Sequence, residues 1–305
     1  MTERLMLLDT ASLYFRAFYG LPDTLKAPDG TPVNAVRGLL EFIAKLVTDY
    51  QPTRLVACWD DDWRPQWRVD LIPSYKTHRV AAEVEVAPDV EVVPDPLTVQ
   101  VPVIREVLAA LHVPIVGAAE HEADDVIGTM ASTARMPVDV VTGDRDLFQL
   151  IDDERDVRVI YTGRGMSNLE VLTGESLVAK YGIRPDQYAD FAAMRGDASD
   201  GLPGVAGVGE KTAATLLATY GDLDGIVAAA ADPASALAPG VRAKLLAAAD
   251  YLLVAPRVVG VVRDLPLPEV DGAIGAPDEA AITALAQQWG LGEPAKRAIA
   301  ALTRA

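Results

Sequence analysis

The first half of the chain alternates short apolar runs with helical apolar patterns, and this alternation restricts the fold more than any other feature. Residues 5–8, 55–58 and 138–141 have the length and composition of buried strands. Residues 36–47 and 101–111 carry apolar side chains at helical spacing. Strands that alternate with helices form a parallel sheet covered by helices on both faces. We therefore predict an α/β fold with a mostly parallel sheet.

The second half of the chain has a different composition. From about residue 176 it is rich in Ala and Leu, is interrupted by glycines, and has few patterns typical of strands. Residues 177–182, 212–220 and 241–253 have the patterns of short helices, and residues 266–278 are typical of a connection before a last helical stretch. We expect two units, an α/β domain over residues 1–170 and a smaller helical domain over residues 171–305.

Aspartates follow each predicted strand of the first half. Asp9 follows the first strand, Asp60 the second, and Asp144 and Asp146 the third. A single aspartate after a strand is commonly a helix or turn cap. However, the carboxyl ends of parallel strands meet at one edge of the sheet, where sites form. Three strand ends that deliver carboxylates to one edge therefore indicate a site.

Two further acidic groups complete this pattern. Glu122, Asp124 and Asp125 precede an apolar run that has the pattern of a helix start, and Asp197 and Asp200 lie three residues apart. Each group could instead stabilise a helix N-terminus or a capping turn. If all nine carboxylates converge, they must take up protons or bind cations, because two of them about 6 Å apart repel by roughly 3 kcal/mol.

The composition of the nine-carboxylate set predicts the kind of ion. It contains neither Cys nor His, and hard oxygen ligands favour Mg²⁺ or Mn²⁺ over Zn²⁺. Two such ions about 4 Å apart are an arrangement that hydrolyses phosphodiesters. The formal net charge of -17 does not exclude a nucleic-acid partner, because nine of the negative charges belong to this set.

A glycine-rich turn precedes one of the predicted helices of the second half. Gly204, Gly207 and Gly209 permit a tight turn with exposed backbone N–H groups, and Lys211 adds a positive charge. N–H groups at a helix N-terminus suit a backbone phosphate of DNA, without reading the base sequence. A structural corner between two helices is the alternative. The pattern favours a helix-hairpin-helix element at about residues 197–220.

A basic stretch with interleaved aromatic residues runs from residue 63 to residue 82. Such a mixture suits a single strand, through phosphate attraction and base stacking, although an ordinary surface loop is the alternative. The next segment is acidic and is expected to repel DNA or to stay solvated. The stretch contains Trp63, Arg64, Trp67, Arg68, Tyr75, Lys76 and Arg79, and the acidic segment contains Glu83, Glu85, Asp89, Glu91 and Asp95.

Taken together, these motifs resemble the bacterial and phage 5′ nucleases, which are 5′→3′ exonucleases and flap endonucleases. They are also similar to the N-terminal nuclease portion of bacterial DNA polymerase I. The similarity runs from about residue 5 to about residue 267, and is specific at residues 122–125, 142–147 and 196–213. It implies a PIN-like nuclease domain, a helical arch at about residues 63–100 and a helical domain with the hairpin clamp and the C-terminal helices. Thr10 and Gly201 depart from the family pattern, which usually has Gly and Asn there.

The resemblance also implies roles for individual residues, and a K⁺ ion at the hairpin. An inner metal would be bound by Asp9, Asp60, Glu122, Asp124 and Asp125, and an outer metal by Asp144, Asp146, Asp197 and Asp200. Lys76, Arg79 and Arg16 would lie near the scissile phosphate. The expected DNA contacts are Tyr75, Gly204, Gly207, Val208, Gly209, Lys211 and Thr212.

The sequence thus predicts a structure-specific 5′ nuclease that uses two or more Mg²⁺ or Mn²⁺ ions on 5′ ends, flaps or nicks of DNA in replication and repair. We expect a stand-alone monomer in the cytoplasm, because Cys58 is the only cysteine and no secretory or membrane segment is evident. A PIN-type ribonuclease is an alternative that the hairpin disfavours. A non-catalytic DNA-binding scaffold is another, disfavoured by the complete carboxylate set.

Overall fold

A six-stranded sheet forms the centre of the computed structural model, which describes residues 3–84 and 88–304. The strand order is β5-β2-β1-β6-β7-β8, and every neighbouring pair is parallel except β7 and β8. The mostly parallel sheet is confirmed, although β5, β7 and β8 were not predicted. The strands are β1 (Leu5–Asp9), β2 (Arg54–Cys58), β3 (Val80–Ala82), β4 (Val90–Glu91), β5 (Ile115–Val116), β6 (Val138–Thr142), β7 (Val157–Tyr161) and β8 (Glu170–Leu172).

The helices cover both faces of the sheet and make up most of the second half. They are α1 (Thr10–Gly20), α2 (Asn34–Tyr50), α3 (Gln66–Leu71), α4 (Asp95–Thr98), α5 (Gln100–Ala110), α6 (Ala123–Thr133), α7 (Gly174–Tyr181), α8 (Tyr188–Arg195), α9 (Glu210–Tyr220), α10 (Leu223–Ala231), α11 (Pro239–Ala247), α12 (Ala249–Val259), α13 (Glu279–Trp289) and α14 (Gly292–Arg304). The helix predicted over residues 241–253 is two helices, because Ala248 leaves helical geometry.

Alternate residues of the central strand enter two different hydrophobic cores. Met6 and Leu8 pack in the core beneath α1, α2 and α5, whereas Leu5 and Leu7 pack in the core beneath α6 and the helices of the second half. This alternation follows from the two-residue period of a strand. Because both faces are covered, β1 is apolar along its length until Asp9.

The last two helices pack against helices that cover the sheet. From the sequence they were predicted to belong to the helical domain. Helix α14 packs along α2, and α13 packs against α5. Ala295, Ala298 and Leu302 of α14 are buried in the core beneath α2. An ion pair between Arg297 of α14 and Glu41 of α2 lies at the edge of this contact. The apolar stripe of α14 is thus buried against α2.

The described part of the segment predicted as a helical arch, residues 63–84 and 88–100, contains little helix. It forms the six-residue α3, a 3₁₀ turn at Thr77–Arg79, the antiparallel pair β3–β4 and the short α4. Pro73 follows the end of α3, and the Val-rich sequence beyond Arg79 favours strands over helix. Glu85, part of the predicted acidic segment, lies outside the described residues. Within the part of the chain that the structure describes, no helix is long and apolar enough to cross a membrane.

Candidate metal centre and nucleic-acid interface

A cleft of about 220 Å³ opens at the carboxyl edge of the sheet, and acidic side chains line it. We call it the carboxylate cleft. The strand order explains the convergence, because β2, β1 and β6 are adjacent and their carboxyl ends point the same way. Five of the nine predicted carboxylates line this cleft: Asp9, Asp60, Glu122, Asp124 and Asp144.

Local hydrogen bonds fix the carboxylates that follow β1 and β2. Asp9 Oδ1 accepts a bond of 3.2 Å from the backbone N–H of Ser12 and so caps α1, while Asp9 Oδ2 accepts a 2.6 Å bond from the Thr142 hydroxyl. Asp60 Oδ1 accepts a 2.7 Å bond from the N–H of Ala123 at the start of α6. The capping alternative is therefore correct for these two residues, and it also orients them toward the cleft.

Burial and mutual repulsion disfavour the charged forms of these carboxylates. Burial raises the pKa of Asp9 to about 7, with Asp60 and Asp144 adding to the effect. Burial and Glu122 raise the pKa of Asp60 to about 6. Burial, Asp9 and Asp144 hold the pKa of Asp124 well above its usual value. A bound cation would therefore stabilise the charged forms of these carboxylates at neutral pH.

A second acidic group, Asp146, Asp197 and Asp200, adjoins the cleft through Asp144. Burial raises the pKa of Asp146 well above its usual value, and Asp144, Asp200 and Asp197 raise it further. Burial raises the pKa of Asp200 to about 6. Asp146 Oδ1 is buried without a hydrogen-bond partner. An unpartnered buried carboxylate oxygen fits a cation ligand, so the residues present suit a divalent ion.

Two basic side chains compensate part of the negative charge. Lys76 Nζ contacts Glu122 Oε2, and Arg79 Nη2 lies 3.1 Å from Asp200 Oδ1. Although burial lowers it, attraction to Glu122 raises the pKa of Lys76 well above its usual value. Within residues 3–84 and 88–304, no three acidic, His or Cys side chains are drawn together closely enough to hold an ion in this arrangement. In this arrangement Lys76 and Arg79 instead contact oxygens of Glu122 and Asp200.

Asp125 faces away from the carboxylate cleft, in contrast to its predicted place in the inner metal group. Both of its oxygens accept bonds from Arg68, at 2.7 and 2.8 Å. Asp125 Oδ1 also accepts a 2.9 Å bond from the N–H of Val262, and Oδ2 a 3.3 Å bond from the N–H of Glu122. The side chain is fully buried. Its oxygens are thus satisfied by the protein, which leaves four carboxylates for the inner group in this geometry.

Arg16 lies beside the carboxylate cleft instead of within it. A Cβ added to Gly143, which lines the cleft, would lie 3.3 Å from Arg16 Nη2. The Nε of Arg16 is buried and has no hydrogen-bond partner. Arg16 also lines a neighbouring cavity with Phe15 and Tyr19. The guanidinium therefore stands next to the carboxylates without pairing with them, which suits its predicted role near a phosphate.

The segment carrying Lys76 is fastened to the loop carrying Asp200. Ser74 Oγ donates a 2.7 Å bond to the carbonyl of Gly201, and the N–H of Lys76 donates a 2.9 Å bond to the carbonyl of Asp200. Gly201 has φ +70, and a Cβ there would lie 2.1 Å from the carbonyl oxygen of Ser74. This contact explains why Gly, and not the usual Asn, stands at position 201. Thr10, the other departure, is buried at the start of α1.

The predicted hairpin is formed by the glycine-rich turn before α9. Gly204 and Gly207 have φ of +66 and +70, and a Cβ on Gly204 would lie 2.5 Å from the N–H nitrogen of Gly196. Gly209 caps α9, and Lys211 in its first turn is exposed, while Thr212 is half-buried. Val208 is 4% exposed, so its side chain belongs to the core and only its backbone could meet DNA. Lys244 was not predicted from the sequence, and its ammonium donates a 2.9 Å bond to the carbonyl of Gly207.

Much of the basic aromatic stretch is buried, which corrects its predicted role as a strand-binding surface. Arg64 pairs with Asp89, and Arg68 pairs with Asp125. The ring of Tyr75 is 4% exposed, so in this arrangement it cannot stack on a DNA base. Asp89 of the acidic segment thus has a structural role. These internal ion pairs could not be read from the sequence, because the partners lie 25 and 57 residues apart.

Several cleft residues were missed by the sequence reasoning. Glu91 of the acidic segment lines the carboxylate cleft, and burial raises its pKa. It reaches the cleft because β4 pairs with β3 directly after Arg79. The alternation of acidic residues and Val over 89–92 was the signal that could have revealed this strand. The other missed lining residues are Ala11, Ser12, Phe15 and Gly143, while Trp63 of the basic aromatic stretch also lines the cleft.

Comparison with solved structures identifies the fold. Bacteriophage T5 5′-exonuclease with bound divalent metal ions (zinc) superposes with a TM-score of 0.63 at 16% identity, over 98% of this chain and 100% of that one. Flap endonuclease-1 from Methanococcus jannaschii gives a TM-score of 0.59 at 16% identity, over 99% and 93% of the two chains. The α/β sheet with its helical second half is therefore the fold of these nucleases.

Sequence comparison identifies the family. Residues 4–182 match the family of 5′-3′ exonuclease N-terminal resolvase-like domains, and residues 183–279 match the 5′-3′ exonuclease C-terminal SAM fold. A 5′-3′ exonuclease of Streptomyces coelicolor is 59% identical over 98% of this chain and 100% of that protein. DNA polymerase I of Mycobacterium tuberculosis is 41% identical over 86% of this chain and 28% of the polymerase. The resemblance is confirmed, and the chain belongs to the 5′-3′ exonuclease family.

Proposed function

We propose that this nuclease hydrolyses DNA at 5′ ends and flap junctions with two divalent metal ions, in replication and repair. The observation that carries the proposal is the convergence of five carboxylates beside Lys76 and Arg79, at the edge of the sheet. The proposal includes Mg²⁺ or Mn²⁺ as the ions, K⁺ at the hairpin, and a cytoplasmic monomer. Relatives named DNA polymerase I support the replication context.

The carboxylates would hold the ions in two groups. Asp9, Asp60, Glu122 and Asp124 would bind one ion, and Asp144, Asp146, Asp197 and Asp200 the other. Two bound divalent ions supply an activated water and stabilise the departing oxygen. The carboxylates contribute by fixing ligand positions in advance, through bonds such as those from Ser12, Thr142 and Ala123.

The basic residues of the segment that follows α3 would contact the substrate phosphate. Lys76 and Arg79 line the carboxylate cleft and now pair with Glu122 and Asp200. When cations neutralise those carboxylates, the ammonium and guanidinium groups are free to donate to the oxygens of the scissile phosphate. Charge stabilisation of this kind is worth about 10²–10³ in rate for one donor.

The glycine-rich hairpin would hold the DNA at a distance from the cleft. Exposed backbone N–H groups at the start of α9, with Lys211 and the nearby Lys244, suit phosphates of the duplex backbone. These contacts are independent of base sequence. They would select for duplex DNA next to a 5′ end, which is the geometry of a nick or a flap.

Cleavage of end-labelled substrates tests the proposal. Wild-type protein should release the 5′ strand from a flap and digest a nicked duplex with Mg²⁺ or Mn²⁺, leaving a 5′-phosphate and a 3′-hydroxyl. Asp124→Asn should be inactive under the same conditions and should keep its melting transition. Equal cleavage of single-stranded RNA and flap DNA would favour the ribonuclease alternative. Metal-independent DNA binding without cleavage would favour the scaffold.

A further inference from the structure

The two oxygens of Glu122 have different surroundings. Oε1 accepts a 2.6 Å bond from the Tyr75 hydroxyl and a 3.1 Å bond from Arg68 Nη1. Oε2 contacts the ammonium of Lys76, which lines the carboxylate cleft. Neither Tyr75 nor Arg68 lines the cleft. Oε1 is therefore turned into the protein and Oε2 is turned toward the cleft.

Arg68 has no freedom to leave this position. Nε donates a 3.0 Å bond to the carbonyl of Val258, and both Nη atoms donate to Asp125. Nη2 also lies 3.4 Å from the carbonyl oxygen of Gly260. The side chain is about 3% exposed. Every nitrogen of the guanidinium thus has an acceptor, and the group joins Glu122 to the end of α12.

Tyr75 is similarly committed to the protein interior. Its ring is 4% exposed and packs in the core beneath α6. A buried hydroxyl needs a hydrogen-bond partner, and that partner is Glu122. The backbone N–H of Tyr75 donates to the carbonyl of Ile72, so the main chain around it is also fixed. The chemical role open to Tyr75 is to orient Glu122.

We propose that Tyr75 and Arg68 are positioning residues that hold Glu122 Oε1 away from the cleft and present Oε2 alone to a divalent ion. The inference rests on the proposed function, because it assigns Glu122 as a metal ligand. Without these two donors the carboxylate could rotate, and a bidentate or displaced geometry would compete. Residues that orient metal ligands typically contribute about 10- to 100-fold in metal affinity.

Calorimetric titration of Mn²⁺ into the DNA-free protein tests the proposal. Tyr75→Phe keeps the ring and removes the hydroxyl, and should raise the Kd for Mn²⁺ by about tenfold or more. Arg68→Lys, which keeps the charge but not the fork of donors, should also weaken binding. Tyr251→Phe is the matched control, because it loses a partly buried hydroxyl bond of 3.0 Å to the carbonyl of Ala193 in the helical half. It should bind Mn²⁺ as the wild type does.

Three further outcomes separate this inference from the proposed function. Wild-type Mn²⁺ binding by Tyr75→Phe, together with weak binding by Glu122→Gln, would overturn the positioning role. Unchanged Mn²⁺ binding with weaker flap-DNA binding in EDTA would overturn it in favour of a direct DNA contact by Tyr75. Wild-type Mn²⁺ binding by Glu122→Gln would refute the proposed metal site itself. If Tyr75→Phe lacks a melting transition, Arg68→Lys decides the question by the same Mn²⁺ criterion.

Discussion

Replacing Asp60 by Asn should stabilise the metal-free protein, although it removes a proposed metal ligand. Asp60 Oδ1 accepts a 2.7 Å bond from the N–H of Ala123, and an asparagine carbonyl can keep that bond. Burial opposes the ionisation of Asp60, and the negative charges of Glu122 and Asp125 oppose it further. The asparagine amide carries no charge, so burial disfavours it less and the two carboxylates do not repel it. The substitution thus removes repulsion without breaking the cap of α6.

The size of the effect follows from the raised pKa of Asp60. A group whose pKa rises on folding stabilises the protein at low pH and loses that stability as pH rises through the folded value. For Asp60 the pKa rises from 3.8 to about 6, so the window lies between about pH 4 and pH 6. At pH 7.5 the ionised carboxylate costs about 3 kcal/mol, and at pH 4.5 about 1 kcal/mol. For a chain of this size, 3 kcal/mol corresponds to roughly 5–10 °C in melting temperature.

Thermal unfolding in EDTA at pH 7.5 and pH 4.5 measures this effect. Asp60→Asn should melt higher than the wild type at pH 7.5, and the difference should shrink at pH 4.5. With Mg²⁺ present the wild type should gain more stability than the variant. Asp139→Asn is the control with the opposite sign, because buried Asp139 is paired with Arg4 and Arg158. If Asp60→Asn melts lower than the wild type at both pH values, the carboxylates are not crowded and the reasoning is refuted.

Three further experiments test the ion pair, the basic side chain and the glycine-rich turn. Asp125→Asn should lower the free energy of unfolding by about 3 kcal/mol, because it breaks a buried ion pair. Asp124→Asn should abolish flap cleavage without that loss of stability. Denaturant unfolding and a cleavage assay distinguish the two variants, and equal stability of both would contradict the pairing of Asp125 with Arg68. Lys76→Met should lower kcat for flap cleavage about 100-fold, with single-turnover kinetics as the measurement and an unchanged rate as the contrary result. Gly204→Ala should weaken flap binding at least tenfold, because φ is +66 and a Cβ would clash with Gly196. Gly209→Ala, with no atom within 4 Å of its Cβ, should keep the wild-type melting temperature. Equal melting temperatures of the two variants would argue against a strained turn at Gly204.

The sheet could be predicted from the sequence where strands are long and fully buried. The predicted strands over residues 5–8, 55–58 and 138–141 each lie within an observed strand, because both faces of β1, β2 and β6 are covered and the apolar runs are continuous. The two-residue β5 is too short to give a periodic signal. The placement of α14 was also beyond prediction. Its apolar stripe shows that it packs, but not that α2 is the partner.

The convergence of carboxylates could be predicted, but their individual tasks could not. Strand order brings Asp9, Asp60 and Asp144 to one edge, and the strand-end rule anticipates this. Asp124 and Asp125 are adjacent in sequence, and only the position of Arg68 shows that they face opposite ways. Likewise, the basic residues around Tyr75 predict a base-stacking role, and only the burial of its ring in the structure excludes that role in this arrangement. The direction in which Asp125 points is set by its ion pair with a residue distant in sequence, and the local sequence pattern does not reveal that partner.

Anomalous diffraction from crystals of the protein with Mn²⁺ and cleaved flap DNA tests the central claim most directly. Two Mn²⁺ peaks are expected. One should lie among Asp9, Asp60, Glu122 Oε2 and Asp124, and the other among Asp144, Asp146, Asp197 and Asp200, with Asp125 still bound to Arg68. Mn²⁺ peaks outside the carboxylate cleft and the adjoining acidic group, or no peak under conditions that support cleavage, would contradict it.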